Sequence, residues 1–234
     1  MLATRILRMA DAIDVVVFDS LEQITTYVLE EQQDWFEDEI RAVRKLLKPG
    51  QTVLDIGANL GVYALSMAKM VGHKGRVIAF EPASNTAELL KQSALLNGFN
   101  HLEVDSRGVG THSGEAMLSL DSSPELNQIL QKTSLQTEDS HGSEIVQLTS
   151  LDDWATSQAH LNAISFIKLD AEGQELNIIA GARQLLNLHS PLILYEVKHG
   201  LDVHLELVEP STNINISNPG WRAFHQMPVG TGIY

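Results

Sequence analysis

The stretch Val53-Leu54-Asp55-Ile56-Gly57-Ala58-Asn59-Leu60-Gly61-Val62-Tyr63-Ala64-Leu65, VLDIGANLGVYAL, decides how the chain is read. A short apolar run meets a carboxylate at Asp55. Two glycines follow, and an apolar pattern of helical period then runs from about Leu60 to Val71, closed by Gly72. This is a strand giving way to a helix through a tight turn. Gly57 frees that turn of a side chain. Gly61 lets the first helical turn pack closely on the strand or approach a ligand. The dinucleotide fingerprint G-x-G-x-x-G needs glycine where Asn59 and Val62 stand, and the phosphate loop needs a Gly-Lys-Ser/Thr that does not follow. The turn suits a ligand without a pyrophosphate but with a cationic or zwitterionic part, for which Asp55 is the counter-charge.

Working outward, the same alternation of strand and helix repeats. Residues Trp35–Lys48 carry Phe36, Ile40, Val43 and Leu47 at helical spacing, stopped by Pro49-Gly50. Acidic residues crowd the first turn, where the helix dipole favours them. Strands are expected at Thr52–Ile56, Arg76–Phe80, Leu102–Val104, Ile145–Leu148, Phe166–Leu169 and Leu192–Val197. Asn85 and Glu88 have capping-box spacing and open a helix ended by Asn97-Gly98. Leu176, Ile179, Ala182 and Leu186 mark one face of a further helix. Glu115–Leu120 alternates and suggests a hairpin after Gly114. Residues 121–143 read as a long loop with one helical turn near Leu126–Leu130, and such loops often serve as lids or binding loops.

Strands apolar on both faces, separated by amphipathic helices, imply an α/β fold with a mainly parallel sheet covered on both sides. Right-handed crossovers then bring the strand C-terminal ends to one rim. Asp55, Glu81, Asp170 and Glu196 all fall at or just past such ends. Ligands of open α/β sheets bind along that rim, where the strand order reverses. Glu81, in Phe80-Glu81-Pro82, lies 24 residues after Gly57. An acidic residue at about that offset accepts hydrogen bonds from ribose hydroxyls.

Composition narrows the ligand further. The 234 residues suit one domain with a substantial core, read as an N-terminal cover (1–48), a binding core (49–200) and an edge segment (201–234). The net charge of −14 leaves no basic footprint for nucleic acid or an anionic membrane. No apolar run reaches the ~18 residues of a spanning helix. Asp11 and Asp14 interrupt the apolar start of the chain, so it reads as folded protein rather than a secretory signal. With no cysteine, thiolate metal sites and disulfides are excluded, and a cytoplasmic setting fits. No histidine pair has metal-ligand spacing, so no metal site is assigned, although carboxylate-held Mg²⁺ stays open.

The ordered blocks DWFEDEIRAVRKLLKPGQTVLDIGANLGVYAL, RVIAFEPASN, FIKLDAEGQELNIIAGA and LILYEV together resemble the FkbM family of S-adenosylmethionine-dependent methyltransferases over roughly residues 30–200. The resemblance implies the Rossmann-like class I methyltransferase fold, with a seven-stranded sheet ending in an antiparallel hairpin. It implies methyl transfer to hydroxyl oxygens of small metabolites or sugars. In that picture Asp55, Gly57, Ala58, Asn59 and Gly61 form the loop under the methionine part of the cofactor. Glu81 and Pro82 flank the ribose, and Ser106 and Arg107 hold the adenine. Asp170 and Glu172, in Leu169–Glu175 (LDAEGQE), face the meeting point of donor and acceptor as the catalytic carboxylates. Glu172 or Glu175 capping the helix dipole is the plain structural alternative, and His199 is a further candidate base.

Two other functions stay open at this level: a nicotinamide-dependent oxidoreductase on a related fold, and a non-catalytic cofactor-binding module. So does homo-oligomer formation. The chain departs from the family pattern after Val197. Pro210 interrupts the segment, and only Trp221–Gln226 and Val229–Tyr234 remain for a reduced hairpin.

Overall fold

The computed structural model describes residues 3–120, 127–130, 142–196 and 203–204. An antiparallel hairpin of β1 (Thr4–Met9) and β2 (Ile13–Phe18) opens the chain, followed by helices α1 (Ile24–Gln32) and α2 (Asp38–Leu46). The core then alternates through β3 (Thr52–Ile56), α3 (Val62–Val71), β4 (Arg76–Phe80), α4 (Ser84–Leu96) and β5 (Leu102–Asp105). Short strands β6 (Gly108–Val109), β7 (Gly114–Leu120), β8 (Gln128–Leu130) and β9 (Gly142–Thr149) interrupt that rhythm. It resumes with α5 (Leu151–Ser157), β10 (Ile164–Leu169), α6 (Glu175–Ala180), α7 (Arg183–His189), β11 (Leu192–Glu196) and β12 (Val203–His204).

The main sheet has the order β12-β11-β10-β3-β4-β5. Strand β12 is antiparallel to β11, and the other pairings are parallel. Period-two alternation splits each central strand between two cores. Val53, Val77, Ala79 and Phe166 pack with α2, α3, α4 and the N-terminal hairpin. Leu54, Ile78, Phe80 and Ile167 pack with α5, α6 and α7. Both faces are therefore covered, which is why these strands read as continuous apolar runs. Among the described residues no helix is long and apolar enough to cross a membrane.

A second sheet, β6-β9-β7-β8, grows out of the chain after β5. Its inner face sets Leu118 and Val146 against Ala83, at the start of α4. The hairpin expected after Gly114 is thus part of a four-stranded sheet. The helical turn expected near Leu126–Leu130 is instead strand over Gln128–Leu130, drawn out by pairing of Ile129 with Leu118.

Other elements depart from the sequence reading. Helix α2 starts at Asp38, with Glu37 as an extended N-cap. Helix α4 has no side-chain cap from Asn85, so the capping box does not form. Its N-terminal amides are taken by other carboxylates: Ala83 N–H donates to Glu81 two residues back (2.9 Å), and Ser84 donates to Glu144 of β9 from both N–H (2.9 Å) and hydroxyl (2.7 Å). The helix expected through Leu176–Leu186 is two helices broken at Gly181-Ala182, and Leu176 is 77% exposed. Seven strands are expected in the main sheet; the described residues supply six. The reduced hairpin at Trp221–Tyr234, His199 and the rest of the 121–143 segment lie outside the described residues.

Candidate active site

Chain order reverses between β3 and β10. From β3 the sheet grows one way through β4 and β5, and from β10 the other way through β11. A crevice of about 230 Å³ opens there, beyond the strand C-terminal ends, as expected for a switch point. Its floor is the loop Gly57–Gly61 with Val62 and Tyr63. Its sides are Glu81 and Pro82 after β4, and Asp170, Ala171 and Glu172 after β10.

The loop glycines owe their identity to the protein more than to a ligand. Gly57 has φ +76°, and a Cβ there would stand 1.8 Å from the Asp170 carbonyl oxygen. Gly61 has φ +87°, and its Cβ would meet Leu90 of α4 at 2.0 Å. Both positions thus combine left-handed backbone with close packing of neighbouring elements. Asn59 is left-handed too (φ +51°), and its own Oδ1 accepts the Leu60 N–H at 2.7 Å.

Glu81 is buried at the end of β4. Its Oε2 accepts the Asn59 N–H (2.8 Å) and its Oε1 the Ala83 N–H (2.9 Å). Each oxygen keeps a further lone pair, so the carboxylate is oriented and can still accept from hydroxyls in the crevice. Burial above all pushes its pKa up to about 7; the two N–H donors oppose that, and the Asp55 charge adds to it.

Asp55 behaves differently. It is fully buried and lies behind the crevice lining. Parallel register sets Lys168 of β10 directly beside it, on the same face of the sheet. The Lys168 ammonium lies 3.7 Å from Asp55, 3.0 Å from Asp170 and 4.8 Å from the centre of the Tyr63 ring. Burial works against the Lys168 charge, but Asp170 and Asp55 outweigh it and hold the ammonium above the ordinary lysine range. Burial pushes the Asp55 carboxyl upward, with Lys168 opposing. One buried cation therefore ties the end of β3 to the turn after β10. The sequence signal was present: Lys168 is the single charge inside the apolar strand ISFIKL.

The turn after β10 is fixed by Glu175, whose Oε1 accepts the Ala171 N–H (3.0 Å) and the Gly173 N–H (3.2 Å). Glu172 and Gly173 are both left-handed (φ +50° and +91°). Strained backbone at Asn59 and Glu172 falls on the crevice wall, where such strain gathers in binding sites.

Of the residues singled out by sequence, Gly57, Ala58, Asn59, Gly61, Glu81, Pro82, Arg107, Asp170 and Glu172 line the crevice. Ser106 does not: it is exposed, and its hydroxyl accepts from Lys91 at 3.1 Å. Arg107 is held by Asp105 (2.6 Å to Oδ2). Glu196 ends β11, on the far side of β10 from the loop. The structure adds Ile24 and Thr25 from α1, Leu118 and Ile129 from the second sheet, and Asn127 just before β8; Glu37, in the acidic turn of the expected cover, lines the crevice too. Trp35 and Phe36, expected as a cover, stand at the same wall with ring centres 5.0 Å apart.

An open, mainly parallel sheet with a glycine loop and an oriented acidic residue at its switch point places the chain among the Rossmann-like α/β folds. Within that class the chain belongs to the FkbM methyltransferase domain family, whose model matches residues 55–210. A ribosomal RNA large subunit methyltransferase E from Bdellovibrio bacteriovorus is 42% identical over 52 residues, 22% of this chain and 26% of that protein. The crystal structure of a methyltransferase FkbM from Methylobacillus flagellatus is 18% identical with a TM-score of 0.45, covering 68% of this chain and 40% of that one. A SAM-dependent O-methyltransferase from Thermotoga maritima is 20% identical with a TM-score of 0.31, covering 44% of this chain and 40% of that one.

Proposed function

We propose that this protein binds S-adenosylmethionine in the switch-point crevice and methylates a hydroxyl oxygen of a small metabolite or sugar. The observation that carries the reading is the pairing of an oriented, buried Glu81 on one wall with Asp170 and Glu172 on the other, across the glycine loop. These residues fit the cofactor: Glu81 would hold the ribose hydroxyls, and the loop Gly57–Gly61 the methionine part. The α3 dipole points its positive end at that loop, which favours a carboxylate there.

Bound in this way, the cofactor supplies an activated methyl group on a sulfonium. The chain's own work is alignment. Holding two reactants in near-attack geometry lowers a barrier by about 7–11 kcal/mol. Asp170, 3.0 Å from the Lys168 ammonium, would accept the hydrogen bond of the acceptor hydroxyl, orient its oxygen and take its proton as the methyl group is transferred. Trp35 and Phe36 exclude water from the mouth. The positive charge fades during transfer, so carboxylates should stand off the sulfur rather than against it. Asp55 behind the lining and Glu81 at the ribose end satisfy that condition. The charge of −14 supports a neutral or cationic small acceptor rather than a nucleic acid.

The test has two arms. Calorimetry should detect S-adenosylhomocysteine and not NAD; the reverse would favour the oxidoreductase. A screen of hydroxylated metabolites and sugars with labelled S-adenosylmethionine should yield an O-methyl product. Asp170→Asn should then lower kcat by a factor on the order of 10²–10⁴ while product binding persists. Undiminished turnover in that variant would remove Asp170 from the mechanism.

A further inference from the structure

We infer that Glu37, supplied by the segment ahead of α2, is the counter-ion for the α-ammonium of the cofactor's methionine part. The inference rests on the cofactor reading above and goes beyond it, because Glu37 lies outside the strand-end motifs that define the crevice.

Three observations converge. Glu37 lines the crevice, and also a smaller adjoining cavity shared with Tyr63, Lys168 and Asp170. It is therefore placed where the cover meets the glycine loop. The Tyr63 hydroxyl, from the first turn of α3, donates to Glu37 Oε2 at 2.6 Å. Burial first, and the Glu37 charge second, push the Tyr63 phenol well above its ordinary range, so it stays a donor. That bond fixes the carboxylate and leaves Oε1 to accept from a ligand.

The third observation is what the other carboxylates are doing. Both Glu81 oxygens are oriented by backbone N–H groups at the far wall. Asp170 is tied to the Lys168 ammonium at 3.0 Å. Asp55 stands behind the lining, beside the same lysine. A zwitterionic amino-acid group on the loop needs an anion as well as the helix dipole, and Glu37 is the one pinned at that end. Glu172, after β10, is the competitor.

Calorimetry with two probes separates these roles: S-adenosylhomocysteine, which carries the ammonium, and 5′-methylthioadenosine, which lacks the amino-acid part. Glu37→Gln should weaken the first by about 10–100-fold, the loss expected for one charge-assisted hydrogen bond. It should leave the second within about twofold of wild type. Glu37→Asp, which keeps the charge, should recover part of the loss and guards against a folding defect. Tyr63→Phe should give an intermediate loss on the first probe alone. The assignment is overturned if Glu37→Gln binds both probes as wild type does, if Glu37→Gln and Glu37→Asp weaken both probes equally, or if Glu172→Gln shows the selective loss instead. Wild-type protein that binds neither probe overturns the cofactor reading, and this assignment with it.

Discussion

At Glu81, burial and hydrogen bonding pull in opposite directions, and burial wins: the carboxyl titrates near 7 rather than at its unfolded value of 4.5. The folded state therefore holds a proton that the unfolded state has released between those values. Stability from this group is present below pH 4.5 and is lost as pH rises toward 7. The full effect is about 3 kcal/mol. Ligand binding runs the other way. Ribose hydroxyls held as proposed would donate to the ionised carboxylate, so S-adenosylhomocysteine affinity should rise from pH 6 to 8, by up to about tenfold per pH unit on the acid side. Glu81→Gln should flatten both slopes, read by urea midpoints and by calorimetry across that range. A wild-type affinity that falls over the same interval would contradict an ionised Glu81 at the ribose. The sequence made Glu81 visible through its offset from Gly57. It also showed Asp55, but not that Asp55 faces Lys168. That pairing follows from the register between β3 and β10, which no local pattern encodes.

Among the elements, α2 packs into the core through Ile40 and Val43 and is anchored by Arg44 next to the crevice-lining segment Trp35–Glu37. Arg44 sends both terminal nitrogens to Asp34 (2.7 Å each) and its Nε to the Ser66 hydroxyl of α3 (2.7 Å). Its side chain is only 12% exposed, so these bonds are sheltered from water. Hydrogen bonds to charged groups are worth about 1.5–3 kcal/mol. Arg44→Ala should lower unfolding stability by about 2 kcal/mol. It should also weaken S-adenosylhomocysteine severalfold without touching the ligand, because Trp35, Phe36 and Glu37 lie between its anchors and the crevice wall. Unchanged affinity in a destabilised Arg44→Ala protein would show that the cover is held by its apolar contacts alone. The helical period announced α2 in the sequence; its anchor was invisible, since Arg44 reads as an ordinary surface residue. Tertiary contact likewise broke the expected 176–186 helix. A Cβ on Gly181 would meet the Gly110 carbonyl at 2.4 Å, so the loop after β6 presses on the helix where its pattern looked continuous. The missing cap on α4 has a related origin, since Glu144 reaches the Ser84 amide from β9 and Glu81, just after β4, takes the Ala83 amide.

Across the whole molecule, the two large cores are written in the alternation of Val53 and Leu54, Val77 and Ile78, Phe166 and Ile167, which is why the α/β class was legible. The second sheet was not. Its strands β6 and β8 are two and three residues long, and β9 is half exposed, so its pairings carry little sequence signal. Its energetics differ accordingly. The hydrophobic cluster beneath it is small, with Ala83, Leu118 and Val146 as its buried members among the described residues, while Met117 and Ile145, paired across β7 and β9, face outward. The central strands β3, β4 and β10 are buried on both faces. Local opening follows buried apolar contact, so the second sheet should open well below the free energy of global unfolding. Native-state hydrogen exchange should find the β7 and β9 amides exchanging through a sub-global opening, and those of β3, β4 and β10 only through global unfolding. Leu118 and Ile129 line the crevice, so a nucleoside bound there as proposed would bridge the two sheets. Saturating S-adenosylhomocysteine should therefore protect β7 and β8 more than β5, although β5 belongs to the main sheet. Equal protection of all strands, with or without the nucleoside, would mean that the two sheets already unfold as one cooperative unit and that the wall over the crevice is rigid before any ligand arrives.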